Sequence, residues 1–291
     1  MSTAQSLNPQ MRIGIGLPAG VPGTDMSGIG RWAAEAEQAG FASVGVFDRL
    51  IYENLDPLTA LAAAAAATTR IELVSTVVNV CWRNNPVLLA KQLWSVDQLS
   101  GGRLRAGLGM GGWPADYAAS GVALAGRGKA LDDALAAMQR FWLEAGVSPT
   151  ILLGGTVPVS LRRAVREPSA GWVSPLFDPA VLQDGASEVE RAWSAAAREG
   201  RPRIATGRYF SLGPGAAETA DRYIVHYYGA DYFDAARADT LTSAERIRAE
   251  LARLADAGCT DVVLFPCSGD VAQISLLAAA IGSSLDTKSE P

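Results

Sequence analysis

Cysteine, histidine and long apolar runs are all scarce in this chain of 291 residues. Each shortage excludes some classes of protein. The three cysteines, Cys81, Cys259 and Cys267, lack the spacing of a metal site, which favours free thiols in a reducing cytoplasm. No apolar stretch is long enough to span a bilayer, and the polar segment 1–10 has no apolar signal core. These shortages predict a soluble, cytoplasmic protein.

The charge balance excludes two kinds of partner. The net charge of −5 at pH 7 argues against nucleic acid and against anionic membranes, because both select a basic surface. Apolar residues make up 49% of the chain and charged residues 19%, enough for a substantial buried core. The length suits either two ordinary domains or one large α/β barrel.

Apolar runs that predict strands alternate with amphipathic segments that predict helices. The predicted strands are residues 12–18, 43–48, 71–80, 103–109, 150–155, 170–176, 201–210 and 261–266. The predicted helices are one capped by Ser27 and stopped by Gly40, one begun at Pro86, and those over 57–68, 126–144, 186–199 and 271–281. This alternation favours an α/β fold, a single-domain (β/α)8 TIM barrel over 11–282, with flexible tails at 1–10 and 283–291.

The segment after the fourth predicted strand is rich in glycine. Gly107, Gly109 and Gly112 satisfy the G-x-G-x-x-G spacing of a dinucleotide-binding Rossmann unit. The acids at the required distance, Asp132 and Asp133, fall inside an amphipathic helix instead of ending a strand. A long loop is also predicted from residue 114, where the Rossmann helix should begin. We therefore interpret the glycines as the floor of a barrel mouth, where a flat ring can lie against the backbone.

A series of short motifs lies between the third and the fifth predicted strands. Its residues are Arg83, Asn85-Pro86, Leu89-Ala90-Lys91, Ser100-Gly101-Gly102-Arg103, Gly107, Gly109, Gly111 and Arg127-Gly128. This series resembles the signature of the luciferase-like monooxygenase family, the barrel flavoproteins that include bacterial luciferase and the oxidoreductases dependent on coenzyme F420. One piece departs, because Val96-Asp97-Gln98-Leu99 stands where the family has Leu-Asp-x-Leu.

The resemblance implies a flavin or deazaflavin in the barrel mouth. Thr76–Val77 would be a non-proline cis peptide behind the ring, and Asn79 would offer its amide to the pyrimidine edge of the ring. Gly109 and Met110, at the end of the fourth strand, would line the ring.

The phosphate of the cofactor needs positive charge and free N–H groups. By the same resemblance, Arg127 would supply the charge, Gly154 and Gly155 a backbone nest, and Ser174 a hydroxyl. The alternatives are a solvated charge at the start of a helix for Arg127 and a plain turn for the two glycines.

The sequence departs from the family where proton transfer is expected. Many members end the second strand with Asp-His, whereas this chain has Asp48 and Arg49. Arginine stays protonated, so Arg49 cannot accept a proton as imidazole does. It could hold an anionic substrate or stabilise an anion derived from oxygen; the alternative is a structural ion pair with Asp48 or another acid. Gly112 stands where several relatives that use coenzyme F420 have glutamate.

The only histidine, His226, shares a predicted helical face with Tyr223 and Tyr227, so it is either a catalytic group or a packing residue. Trp113 and Tyr117 are candidates for an aromatic lid over the mouth or for ordinary loop packing.

These features predict a monooxygenase that uses reduced FMN from a separate flavin reductase, together with O2 and a small organic substrate. It is expected to be an oxidoreductase, with a homodimer as a further expectation. The first alternative is an oxidoreductase dependent on coenzyme F420 that transfers hydride. The second is a flavin-binding accessory barrel without catalytic activity.

Overall fold

The computed structural model describes residues 11–166, 168–175 and 179–282, and eight parallel strands within them close into one barrel. The strands pair in chain order, and the last pairs back with the first. They are β1 Arg12–Gly16, β2 Ser43–Val46, β3 Glu72–Asn79, β4 Leu104–Gly109, β5 Thr150–Gly154, β6 Ser169–Val173, β7 Arg203–Phe210 and β8 Asp261–Pro266. The predicted (β/α)8 TIM barrel is confirmed, while the expected tails lie outside the described residues.

Helices connect the successive strands. They are α1 Ile29–Gln38, α2 Pro57–Ala67, α3 Pro86–Ser100, α4 Pro114–Ser120, α5 Arg127–Glu144, α6 Pro158–Ala164, α7 Pro179–Ala195, α8 Ala216–Tyr228, α9 Ala230–Ala238, α10 Ala244–Asp256 and α11 Ala272–Ile281. The prediction of a loop from residue 114 is wrong, because α4 begins there with proline in its first turn.

The start of α1 also differs from the sequence prediction. Ser27 does not cap this helix but lies in a 3-10 turn, Met26–Gly28, that precedes it. Asp25 caps that turn, since its Oδ1 accepts hydrogen bonds from the backbone N and the Oγ of Ser27 at 3.0 and 2.7 Å. The predicted stop at Gly40 is confirmed by its left-handed φ of 89°.

Small and large residues alternate around the barrel interior. A Cβ atom at Gly16 would lie 2.4 Å from Phe265 Cδ1, and one at Gly45 would lie 2.5 Å from Val263 Cγ1. Both β8 side chains are buried and fill the space that the two glycines leave. The interior is therefore packed, and a ligand is expected at the carboxyl ends of the strands.

Charged side chains close the opposite end of the barrel, where the strands begin. Glu72 lies 2.7 Å from Arg12, 3.0 Å from Arg105 and 2.9 Å from Arg203. Arg203 also pairs with Asp261, and these interactions raise its pKa against the opposing effect of burial. Glu72 is buried and neutralises part of the charge of all three arginines, of which Arg12 and Arg203 also reach Asp261.

Replacing Glu72 with glutamine should leave these arginines undercompensated and lower the free energy of unfolding by about 3 kcal/mol. Glu190→Gln is the matched control, because its pair with Arg201 is largely exposed, and its cost should stay below about 1 kcal/mol. Urea unfolding measures both values. Equal effects of the two substitutions would contradict the stabilising role given to Glu72.

Candidate functional site

The third strand bulges into the barrel mouth just before its end. The Thr76–Val77 peptide is cis, as the sequence resemblance predicts, and the pairing of β3 with β4 shifts register between Ser75 and Val78. Thr76 and Val77 are both partly exposed, so this part of the mouth floor is accessible.

The glycines of β4 and β5 make room for that bulge. A Cβ at Gly109 would lie 2.6 Å from Val77 Cγ2, and one at Gly154 would lie 3.1 Å from Val77 Cγ1. The carbonyl oxygen of Ser75 takes the space beside Gly107, where a Cβ would lie 2.1 Å from that oxygen. Val77 thus packs on Gly109 and Gly154. The interpretation that a ring lies directly on the glycines stays a prediction.

Three hydroxyl groups in the β3–β6 half of the mouth are buried without a hydrogen-bond partner in the described ranges. They are Thr76 Oγ1, Ser160 Oγ and Ser174 Oγ. Ser174 follows β6 directly, and β6 pairs with β5 through Gly154 and Val173. Ser160 belongs to α6, and its Oγ would lie 2.4 Å from a Cβ at Gly155, which has a φ of 139°.

An unmade hydrogen bond at a buried hydroxyl costs about 1–3 kcal/mol, so such groups mark places where a polar ligand would be stabilising. The three hydroxyls fit the polar groups of a flavin mononucleotide, in particular its phosphate. Ser160 is a member of this set that the sequence analysis missed, since the short α6 was not predicted.

A cation lies at the start of α5, in the same half of the mouth. Arg127 is the first residue of α5, is partly exposed, and has no carboxylate within ion-pair distance among the residues that the structure describes. Its Nη1 lies 3.4 Å from the carbonyl oxygen of Gly111, and its own carbonyl accepts a hydrogen bond from Cys81 Sγ at 3.3 Å. Burial raises the pKa of the Cys81 thiol, which suits this structural role. Arg127 thus offers an uncompensated positive charge to an anion.

Asp48 is fixed by its neighbours. Its Oδ2 accepts hydrogen bonds from the backbone N of Asn79 at 2.8 Å and from Arg83 Nη2 at 3.1 Å. Burial raises its pKa, and the positive charge of Arg83 opposes that rise. Asn79 Nδ2 donates to the carbonyl oxygen of Asp48 at 2.8 Å, so one amide hydrogen of Asn79 is already used. A catalytic role for Asp48 and a flavin contact for Asn79 stay predictions.

Arg49 is held by an acid that the sequence analysis did not single out. Its Nε donates to Asp116 Oδ2 at 2.7 Å, and Asp116 Oδ1 also accepts from the backbone N of Ile51 at 3.2 Å. The guanidinium carbon lies 4.0 Å from the ring centre of Trp113. Burial lowers the pKa of Arg49, but the hydrogen bonds and charges of Asp116 and Tyr227 outweigh this, and the net shift is upward.

The ion pair proposed as the alternative for Arg49 is therefore present, with Asp116 instead of Asp48. Asp116 is fully buried in α4. The only sequence signal for it was an acid in the first turn of a helix, and that helix was not predicted.

An aromatic roof covers the other half of the mouth, above β7, β8 and β2. It consists of Phe47, Tyr209, Tyr223, Tyr227 and Phe265, whose neighbouring ring centres lie 5.1 to 6.1 Å apart. The two tyrosines of α8 in this set are buried, as their shared helical face predicts.

His226 does not share the buried environment of Tyr223 and Tyr227. It is exposed, and its Nδ1 lies 2.7 Å from the Oη of Tyr52, a phenol whose pKa burial raises to about 12. His226 thus links α8 to the loop after β2, and a catalytic role for it stays a prediction.

The structure brings all nine predicted cofactor residues to the β3–β6 half of the mouth. These are Thr76, Val77, Asn79, Gly109, Met110, Arg127, Gly154, Gly155 and Ser174. The carbonyl oxygen of Met110 accepts a hydrogen bond from Tyr117 Oη, so Tyr117 packs beneath the mouth instead of forming a lid.

Comparison with known proteins places this geometry in a family. The model of the luciferase-like monooxygenases matches residues 11–264, and the chain belongs to this family. An uncharacterised protein of Mycobacterium tuberculosis is 30% identical over 172 residues, which cover 52% of this chain and 60% of that protein. A second is 28% identical over 201 residues, covering 55% and 69%. The first match thus spans less than two thirds of the relative.

Solved structures share the fold at low identity. A monooxygenase from Streptomyces bottropensis has a TM-score of 0.78 at 22% identity and covers 93% of this chain and 98% of its own. An F420-dependent secondary alcohol dehydrogenase with an F420-acetone adduct has a TM-score of 0.77 at 16% identity, covering 95% and 99%. The oxygenating constituent of 3,6-diketocamphane monooxygenase of Pseudomonas putida, in complex with FMN, has a TM-score of 0.72 at 17% identity, covering 94% and 97%.

The described residues contain neither a helix suited to span a bilayer nor a cluster of candidate metal ligands. No helix there has both the length and the apolar character to cross a bilayer. No group of three or more histidine, cysteine, aspartate or glutamate side chains is placed to hold a metal ion in the same ranges.

Replacing Ser174 with alanine tests whether its hydroxyl is available to bind a ligand. The hydroxyl has no hydrogen-bond partner among the described residues, so the free energy of unfolding without flavin should stay unchanged or rise by about 1 kcal/mol, while FMN affinity falls about tenfold.

Ser100→Ala is the matched control, because this buried hydroxyl donates to Asp97 and accepts from the backbone N of Arg103. It should cost about 1 kcal/mol in urea unfolding and leave FMN affinity unchanged. A loss of stability in Ser174→Ala as large as in the control would show that Ser174 is already satisfied.

Proposed function

We propose that this protein is a monooxygenase that uses reduced FMN to oxygenate a small organic molecule with O2. The observation that carries the proposal is a set of three buried hydroxyls, those of Thr76, Ser160 and Ser174, that lack a hydrogen-bond partner among the described residues. They belong to the half of the mouth that also contains Arg127 and the partly exposed Val77. The phosphate of FMN would accept hydrogen bonds from Ser160 and Ser174 and pair with Arg127. The ring would rest on Val77.

Bound reduced FMN would supply two electrons to O2, with one oxygen atom entering the substrate and the other leaving as water. The chain would contribute a dry, shaped mouth, since the aromatic roof excludes water from one half of it.

The residues near the mouth support oxygenation over hydride transfer. Alcohol oxidation by hydride transfer needs a group that takes the hydroxyl proton. Arg49 stays protonated in its pair with Asp116, Asp48 is fixed by Arg83, and Gly112 brings no side chain. The alternative of an oxidoreductase dependent on coenzyme F420 keeps the same scaffold and would need another proton acceptor.

The packing of the β4 glycines bears on the source of the reducing equivalents. Gly107 and Gly109 are packed against β3, so they are not free to cradle the pyrophosphate of a nicotinamide cofactor. We therefore propose that a separate flavin reductase delivers reduced FMN. A cytoplasmic location and a homodimer stay predictions.

Parallel titrations with FMN, reduced FMN under anaerobic conditions, and coenzyme F420 test the cofactor directly. Reduced FMN should bind most tightly, and Arg127→Ala should weaken its binding about tenfold or more because the phosphate loses its cation. Arg140→Ala, an exposed arginine near the other end of α5, is the control and should bind as wild type. Tight binding of coenzyme F420 alone would overturn the proposal, and binding of none of the three would favour an accessory barrel.

The role of Arg49 needs a variant that keeps the fold. Arg49→Ala would leave Asp116 buried without a partner, at a cost of about 3–5 kcal/mol, so the test uses the double variant Arg49→Met with Asp116→Asn. Oxidation of bound reduced FMN by O2, followed by stopped-flow absorbance, should slow about tenfold because the guanidinium of Arg49 no longer stabilises developing anions.

His226→Gln is the comparison, since His226 is exposed and bonded to Tyr52. In this variant, the rate at which O2 oxidises bound reduced FMN should stay within about twofold of wild type. A larger effect of His226→Gln than of the double variant would reverse the assignment of the two residues.

A further inference from the structure

A cavity of about 210 Å3 lies on the flank of the barrel, between α5 and α6. Its lining includes Ile151 and Ser169, which lie at the starts of β5 and β6. The cavity is therefore near the strand starts and away from the mouth. Ligand pockets for larger organic molecules hold roughly 300–1,000 Å3, so this cavity suits a smaller ligand.

A buried arginine lines this flank cavity and is incompletely satisfied. Arg163 Nε and Nη2 donate to the two oxygens of Asp132 at 2.6 and 2.8 Å, and Nη2 also reaches the carbonyl oxygen of Gly128 at 3.1 Å. Its Nη1 is buried and makes no hydrogen bond in the part of the chain that the structure describes. The residue is only 7% exposed, so water does not readily replace the missing acceptor.

The charges around the cavity favour an anion. Arg166 is a second arginine of the lining, whereas Asp132 is the one carboxylate among its described residues, and half of the Asp132 side chain is exposed at the rim. A carboxylate oxygen is the natural partner of an unsatisfied guanidinium N–H group.

Apart from Gln139 and Ser169, the rest of the lining is apolar. Leu135, Ala136, Ile151, Leu153 and Pro168 form one wall of the cavity. A free phosphate ion would leave this wall without a partner, whereas a hydrocarbon chain would cover it. The ligand class that would pair with the two arginines and also cover the apolar wall is a short aliphatic carboxylate.

We propose that the flank cavity is a binding site for a short-chain aliphatic carboxylate, with its carboxylate between Arg163 and Arg166 and its chain on the leucine wall. The site is separate from the proposed flavin site and does not depend on it. Arg163 also holds Gly128 in the first turn of α5, next to Arg127, so the two sites share a helix.

Isothermal titration of the full chain with hexanoate tests the site. Hexanoate should bind saturably, with acetate about tenfold weaker because it lacks the chain, and hexan-1-ol about tenfold weaker because it lacks the charge. Inorganic phosphate should bind no better than acetate. Absence of hexanoate binding, or equal binding of hexanol, would overturn the proposal.

Two variants place the ligand without breaking the buried pair of Arg163. Arg166→Gln removes an exposed cation and should weaken hexanoate binding about tenfold, and Ala136→Phe should abolish it by filling the cavity from an exposed helix position. Arg162→Gln, an exposed neighbour on α6 outside the lining, is the control and should bind hexanoate as wild type. Unchanged binding in Ala136→Phe would place the ligand elsewhere and contradict the assignment.

Discussion

The side chain of Val77 occupies the space that Gly109 and Gly154 leave free, and the candidate cofactor site depends on this contact. A side chain at Gly109 would clash with Val77, since a Cβ there would lie 2.6 Å from Val77 Cγ2. Because Val77 is held from below, its upper surface forms a fixed apolar floor beside Thr76, Ser160, Ser174 and the cation at the start of α5. An apolar floor with polar groups along one edge suits a ligand that combines a flat ring with a phosphate.

The charged groups of the mouth that follow β2 are held in ion pairs. Arg49 is paired with Asp116 and stacked on Trp113, and Asp48 is tied to Arg83. A site of this kind can orient and stabilise charge, but it is poorly suited to exchanging protons with a substrate. This agrees with an enzyme whose chemistry resides in its cofactor, as the family to which the chain belongs would suggest.

The barrel could be predicted from the sequence because its signals are local. Apolar runs, caps and glycine stops mark the eight strands and most of the longer helices. The short helices α4 and α6 were not predicted, since seven residues give too little periodicity to recognise. α10 was missed although Ser243 caps it and Ile247, Leu251 and Leu254 mark its buried face.

The site was only partly predictable, because its contacts join distant parts of the chain. The cis peptide at Thr76–Val77 and the position of Arg127 followed from the family resemblance. The pairing of Arg49 with Asp116, 67 residues away, has no local signal, and neither does the contact of Val77 with Gly109. A glycine motif shows only that space is needed; the residue that fills the space is decided by strand register.

A crystal structure of the protein soaked with FMN measures the central contact directly. The account predicts a flavin ring lying on Val77, with its phosphate within hydrogen-bond distance of Ser174 and Arg127. A flavin bound elsewhere, or a mouth in which Val77 is covered by protein side chains when FMN is bound, would contradict it.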